Sequence, residues 1–401
     1  MTVLVSWDNE EQAQLLQLYL DVDDSQAQLT TDPDEFMKLA ESGKNWDAIL
    51  LTTAHPDHEK AYEIFLKVHE MCPDSPIVAV CEQDDVYRIA KYMTAGLRTY
   101  VIRDPSGDFM FLLRAVLEGA IQQVEAERER MIAEKLRREV DSVRQLQESI
   151  IPHDIATPDN YEIVARYESS QIRVIGGQPV TMAGGDYYDA FTLPDDQMIV
   201  LVGDASGHGM KACMSIMTMH TLIRMIRYDE FREPAHFVQY VNKQLCQQSV
   251  VYSEGGFITL LYGVLNPKTH EFRWASAGHQ SPIIHNLDDN QVYEIVKPDD
   301  DAAGLPIGIY DDAEYETQAE FIPPNSRLLL YTDGLVEAFP AESESHEEFG
   351  LGGLTKTMQN FKDRSISDCL QGLFDDSNAF TRGQGRHDDT SVVLVERKPA
   401  T

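Results

Sequence analysis

Val202-Gly203-Asp204-Ala205-Ser206-Gly207-His208-Gly209 brings an apolar run to an aspartate and then turns at once through glycine. Three other segments after residue 180 also place an aspartate where a strand should meet a turn. They are Gly184-Gly185-Asp186-Tyr187-Tyr188-Asp189, Leu328 to Leu335 (L-L-L-Y-T-D-G-L) and Arg386 to Val395 (R-H-D-D-T-S-V-V-L-V). Carboxylates held where strands meet turns are hard oxygen donors. They suit Mg²⁺ or Mn²⁺, which keep several waters when a protein offers only a few carboxylates. A lone aspartate in a turn more often caps a helix or closes an Asx-turn. Four, far apart in sequence and alike in design, predict one converging metal site.

Around these segments, residues 151–401 read as strands: Gln197 to Val202, Phe257 to Leu265, Arg273 to Ala275, Ser281 to Ile284, Arg327 to Tyr331 and Ser391 to Val395. Two helical stretches interrupt them, Met210 to Ile226 and Pro234 to Ser249. Many strands with few helices predict an α+β sandwich. The methionines of the first helix (Met210, Met214, Met217, Met219, Met225) are expected to fill core. Asp299-Asp300-Asp301 and the stretch Pro340 to Glu348 read as acidic exposed loops.

Residues 1–115 differ in kind. Short apolar runs near Val3, at Ala48 to Leu51, Ile77 to Val80 and Tyr100 to Ile102 alternate with helical patterns at Glu11 to Leu20, Glu59 to His69 and Val86 to Ala95. That alternation predicts βαβ units and a parallel sheet. Spacing and order resemble a response-regulator receiver domain of flavodoxin-like topology. The reactive positions depart from that pattern. Trp7-Asp8 stands where an acidic pair follows the first strand, and Thr52 where the phospho-accepting aspartate ends the third. Cys81 replaces the hydroxyl residue and Arg103 the lysine. A threonine cannot form an acyl phosphate, so the expectation is a degenerate receiver that is not phosphorylated there. A two-component regulator fails at Thr52.

Residues 116–150 form a charged helical stretch. Leu113, Leu117, Ala120, Val124 and Met131 make one apolar seam, and Leu136, Val140, Val143 and Ile150 a second, offset from it. Such spacing predicts a coiled coil that dimerises the chain. The alternative is a single long helix packed on its own domain.

Composition sets outer limits. A formal charge of −34 excludes nucleic acid and anionic membrane as partners by repulsion. Five scattered cysteines (Cys72, Cys81, Cys213, Cys246, Cys369) fit reduced thiols. No apolar stretch nears the ~20 residues that span a bilayer. The expectation is a soluble, cytoplasmic protein.

Seven segments in order carry a family resemblance: Arg144 to Pro152, Gly184 to Asp189, Gly203 to Gly209, Phe257 to Pro267, Ala277 to Pro282, and the Tyr331 and Asp388 segments. Residues 151–401 resemble the metal-dependent phosphatases of the protein phosphatase 2C superfamily, in the bacterial SpoIIE/RsbU-type group. The stretch between Arg166 and Gly184 departs from it by its length. The resemblance implies a serine/threonine phosphatase using two divalent cations, Mn²⁺ or Mg²⁺. It implies that Asp204 bridges the two, with the Ala205 carbonyl as a further ligand. Asp333 and Asp388 would bind one ion, and Asp186 would bind directly or through water. A water activated between the ions would attack phosphorus in line, with no phosphoenzyme. Asp189 and Asp389 could merely orient ligands, and packing suits His208 and His279 better than proton transfer. The implied substrate is a phosphorylated anti-anti-sigma factor of STAS fold. The rival class is a non-catalytic adaptor; the presence of every expected carboxylate favours catalysis.

Overall fold

A computed structural model describes every residue except 23, 153, 173–179, 182, 208, 227–231, 249–255, 296–303, 341–346, 383–385, 387 and 400–401. The acidic triplet at 299–301, most of the 340–348 loop and much of the long link before Gly184 therefore lie outside the described residues. The chain divides into two compact units, Met1–Leu136 and Arg137–Thr401.

In the first unit five parallel strands alternate with helices: β1 (Thr2–Ser6), α1 (Glu10–Leu20), β2 (Gln26–Thr30), α2 (Pro33–Glu41), β3 (Ala48–Thr52), α3 (His58–Met71), β4 (Ile77–Glu82), α4 (Val86–Thr94) and β5 (Thr99–Arg103). The sheet order is β2-β1-β3-β4-β5, that of the flavodoxin-like fold. Side-chain oxygens of Asn9, Asp32 and Asp57 cap α1, α2 and α3 by accepting backbone N–H groups of their first turns. β2 and α2 go beyond the sequence reading. Q-A-Q-L-T is a polar edge strand with only Ala27 and Thr30 buried, too faint an alternation to notice.

The helix α5 runs from Phe109 to Ile150. Phe109, Met110, Leu113, Leu117 and Ala120 are buried in the first unit's core, with Leu16 and Leu20 of α1. The first half of the expected coiled-coil seam is thus spent on packing against its own domain. That packing carries the first unit past the expected boundary at residue 115. Met131, Ile132 and Leu136 are exposed.

The second unit is a two-sheet sandwich. One sheet has the order β15-β12-β11-β10-β9, with β9 (Asp186–Thr192), β10 (Met198–Ala205), β11 (Ile258–Asn266), β12 (Glu271–Ala277) and β15 (Gln318–Phe321). The other has the order β14-β13-β16-β17-β6, with β6 (Tyr161–Glu168), β13 (Ile283–Asn286), β14 (Gln291–Glu294), β16 (Ser326–Tyr331) and β17 (Thr390–Arg397). A two-residue pair, β7 (Gln171–Ile172) with β8 (Val180–Thr181), stands apart. Between the sheets lie Val200, Val202, Leu261, Leu328, Leu330, Val393 and Val395, each at most 1% exposed. Helices α6 (Met210–Met225) and α7 (Pro234–Leu245) cover the first sheet's outer face.

Two further helices, α8 (Gly350–Asn360) and α9 (Ile366–Phe380), cover the second sheet, and they correct the count of two. Gly350, Gly352 and Gly353 hide α8 from a propensity reading. The pattern of α9 was legible: Ile366, Cys369, Leu370, Leu373, Phe374 and Ser377 repeat at helical spacing and are all buried. The methionine expectation also needs correction. Met219 is core, but Met210, Met214 and Met225 are exposed on α6.

Candidate metal centre

Asp204 stands directly opposite Asp186 in the antiparallel pairing of β10 with β9. Strand alternation turns both toward the interior between the sheets, on the side of Val200, Val202 and Tyr188. Like charges facing each other across a ladder are destabilising. The second sheet adds more acid. Thr332, just past β16, donates from its hydroxyl to Asp186 Oδ2 at 2.6 Å and accepts the Ser391 N–H at 2.8 Å. Asp333 follows in a short helical turn, and Asp388 and Asp389 lead into β17.

The electrostatics match this crowding. Burial, then the carboxylates of Asp204 and Asp389, lift Asp186 well above the usual range. Asp204 is pushed up to about 8 by burial and by Asp333, Asp388 and Asp389. Asp333 rises to about 6 through burial, Glu337 and Asp388. An oxygen-only, mutually repelling set buried at the mouth of a sandwich fits a hard dication in donor chemistry. Among the described residues, however, no three carboxylate, imidazole or thiol groups are close enough to cage an ion as they stand.

The loops are held by main-chain contacts. Ala205 N–H donates to the Gly185 carbonyl at 2.9 Å, and a Cβ on Gly185 would lie 2.7 Å from the Ala205 oxygen. Only glycine allows that approach. The Asp389 carboxylate accepts the N–H groups of Ser170 (2.8 Å) and Gly185 (2.7 Å). One oxygen thus holds the Gly-Gly-Asp loop at Gly185 and the other the segment that follows β6 at Ser170. Gly207 and Gly209 take φ of +84° and +83° ahead of α6, as the G-H-G turn requires; His208 is outside the described residues.

Two motif residues sit elsewhere. Asp189 faces the helical side of β9, where it accepts from Tyr187 OH (2.9 Å) and the Arg224 guanidinium (2.7 Å) of α6. It is not part of the carboxylate group. His279 is buried between Thr259 Oγ1 (2.9 Å) and the Tyr331 carbonyl (3.0 Å), and burial lowers it to about 4. A neutral imidazole so held is structural. The sequence reading missed Thr332, Glu337 and Gln147, though all three lie inside the motif segments beginning at Tyr331 and Arg144. Gln147 donates from Nε2 to the Asp186 carbonyl (3.2 Å) and accepts the Gly184 N–H (2.8 Å).

The first unit presents a different end. Arg103 donates to Asp8 Oδ2 at 2.7 Å and to Gln12, and its guanidinium lies 5.3 Å from the centre of the buried Trp7 ring. Thr52 and Cys81 are buried near the carboxyl ends of β3 and β4. The expected receiver positions are all at the carboxyl edge of the sheet, with a guanidinium where that chemistry would need a dication.

Comparison with known proteins follows the second unit. The family model of stage II sporulation protein E (SpoIIE) matches residues 194–398, just over half of the chain. Protein IcfG of Synechocystis is 26% identical over 290 residues, 65% of this chain; the chain spans only 42% of that relative's length. The phosphoserine phosphatase RsbU of Bacillus subtilis is 24% identical over 296 residues, 72% of this chain and 78% of RsbU. Among solved structures, the SiaA-PP2C domain of Pseudomonas aeruginosa shares the fold at a TM-score of 0.51. It is 15% identical, over 66% of this chain and 98% of that domain. The chain belongs to the SpoIIE family and carries that family's protein phosphatase 2C-like domain.

Proposed function

We propose that the chain is a Mg²⁺/Mn²⁺-dependent protein-serine/threonine phosphatase of bacterial signalling. Its substrate is a phosphorylated STAS-type protein of a partner-switching pathway, in the cytoplasm. The observation that carries this reading is the register that sets Asp186 against Asp204, with Asp333 and Asp388 lifting the charge burden further. Asp186, Asp204, Asp333 and Asp388, with the Ala205 carbonyl, would hold the ions. When bound, two dications supply a water of lowered pKa and neutralise charge on the phosphoryl group. Asp389 keeps the Gly185 backbone in place, and Thr332 fixes the Asp186 carboxylate by hydrogen bond.

Regulation is assigned to the receiver-like unit, acting through α5. A homodimer would form along residues 116–150, where Met131, Ile132 and Leu136 are exposed. No helix among the described residues is long and apolar enough to cross a membrane.

The test is phosphate release from p-nitrophenyl phosphate and from a phosphoserine STAS protein with Mn²⁺, comparing wild type with Asp204→Ala. Turnover by wild type and its loss in the variant are expected. No Mn²⁺-dependent turnover by wild type on any phosphoprotein would leave the adaptor reading in place.

A further inference from the structure

We infer that Gln147 is a positioning residue through which α5 sets the placement of Asp186, and hence the affinity of the proposed centre for its cation. This rests on the phosphatase reading above. Gln147 is 0% exposed, although the residues around it on α5 face solvent: Leu146 is 56% exposed, and Gln145 and Ser149 are exposed. It is the one fully buried residue of α5 between Arg137 and Ile150. A buried primary amide is tolerated only when its polar ends are satisfied. Here both are satisfied by main chain: Oε1 takes the Gly184 N–H and Nε2 reaches the Asp186 carbonyl. The side chain acts as a detached peptide group, pairing with the Gly-Gly-Asp strand start as a neighbouring strand would.

The geometry makes this contact more than filler. Four main-chain groups of the loop are bonded: Gly184 N–H to Gln147, Gly185 N–H to Asp389, Gly185 carbonyl to Ala205, and Asp186 carbonyl to Gln147. The Asp186 carboxylate is then fixed by Thr332. Asp389, Ala205 and Thr332 belong to the sandwich and move with it. Only Gln147 comes from α5. A turn of that helix about its axis, or a shift along it, would break both amide bonds together. The loop carrying Asp186 would then be held from one side only.

The test uses the full chain with Gln147→Leu, of similar volume without hydrogen bonds, and Gln147→Glu, which can still accept from Gly184 but cannot donate to Asp186. Mn²⁺ binding is read by titration calorimetry, turnover as a function of Mn²⁺, and unfolding temperature in EDTA. Weakening of Mn²⁺ binding by about 10- to 100-fold is expected for Gln147→Leu, as for other residues that orient metal ligands. Turnover at saturating Mn²⁺ should return to within a few-fold of wild type. Should Gln147→Leu fail to fold, Gln147→Glu alone decides, with weakened Mn²⁺ binding again expected. Wild-type Mn²⁺ affinity in a folded variant, with only a lowered unfolding temperature, overturns the inference and leaves the phosphatase reading intact. Wild-type protein that binds no Mn²⁺ overturns both.

Discussion

The two units meet the problem of acid at strand ends in opposite ways. In the first, Asp8 is balanced internally: Arg103 donates to it and stacks its guanidinium over Trp7. In the second, Asp186 and Asp204 face each other, and the nearby charges that raise them are further aspartates. A self-neutralised end has no need of a cation and gives one little to bind. An end that accumulates buried like charge carries a standing instability that a dication relieves. The contrast explains why degenerate chemistry in one half does not argue for a degenerate chain.

The sharpest break of this comparison is the loss of an acid from the second unit. Asp204→Asn and Asp333→Asn should each lower Mn²⁺-dependent turnover by about three orders of magnitude, equivalent to several kcal/mol of transition-state stabilisation. Asp189→Asn offers a control within the same motif. It should leave Mn²⁺ affinity unchanged, because Asp189 faces α6, while lowering stability by about 1–3 kcal/mol through the loss of a buried acceptor for Tyr187 and Arg224. Calorimetric titration and urea unfolding separate the two effects.

A subtler effect concerns pH. Asp204 holds its proton up to about pH 8 in the fold and, on the value 3.8 for a free carboxyl, releases it far lower when unfolded. Across that window the native state binds more protons than the unfolded one, so stability falls as pH rises from about 4 through 8. In EDTA the unfolding temperature should decline over that range. Asp204→Asn should flatten the decline, and Mn²⁺ should stabilise more at pH 8 than at pH 6. Smallest of all is the first unit's pair. Arg103→Ala removes a half-buried ion pair and a cation over Trp7, and thermal unfolding should register a cost of about 1 kcal/mol.

Much of this was readable in advance because the signals were local. Apolar runs marked six of the ten sandwich strands, β10, β11, β12, β13, β16 and β17, and the motif aspartates lie at the ends of β10 and β16 and just before β17. What escaped depended on partners distant in sequence. Asp186 and Asp189 look equivalent in G-G-D-Y-Y-D, yet strand alternation sends them to opposite faces, one to the acids and one to Arg224. Thr332 gains its role only when β16 approaches Asp186, and Gln147 only when α5 ends beside the Gly184 loop. The seam at Leu113, Leu117 and Ala120 was correctly seen as apolar. Sequence could not say whether another copy or the chain's own β-sheet would cover it.

The pairing of β9 with β10 also dictates which insertions and deletions the chain can survive. A residue gained or lost between Leu193 and Gln197, where the hairpin turns, leaves the ladder free to keep its alignment. A residue gained between Tyr187 and Phe191 would invert every side chain on the Asp186 side of it, burying Tyr187 where Asp186 belongs and sending the acid to the helices, and a residue lost would set Gly185 opposite Asp204. Length variation in this hairpin should therefore be confined to its tip.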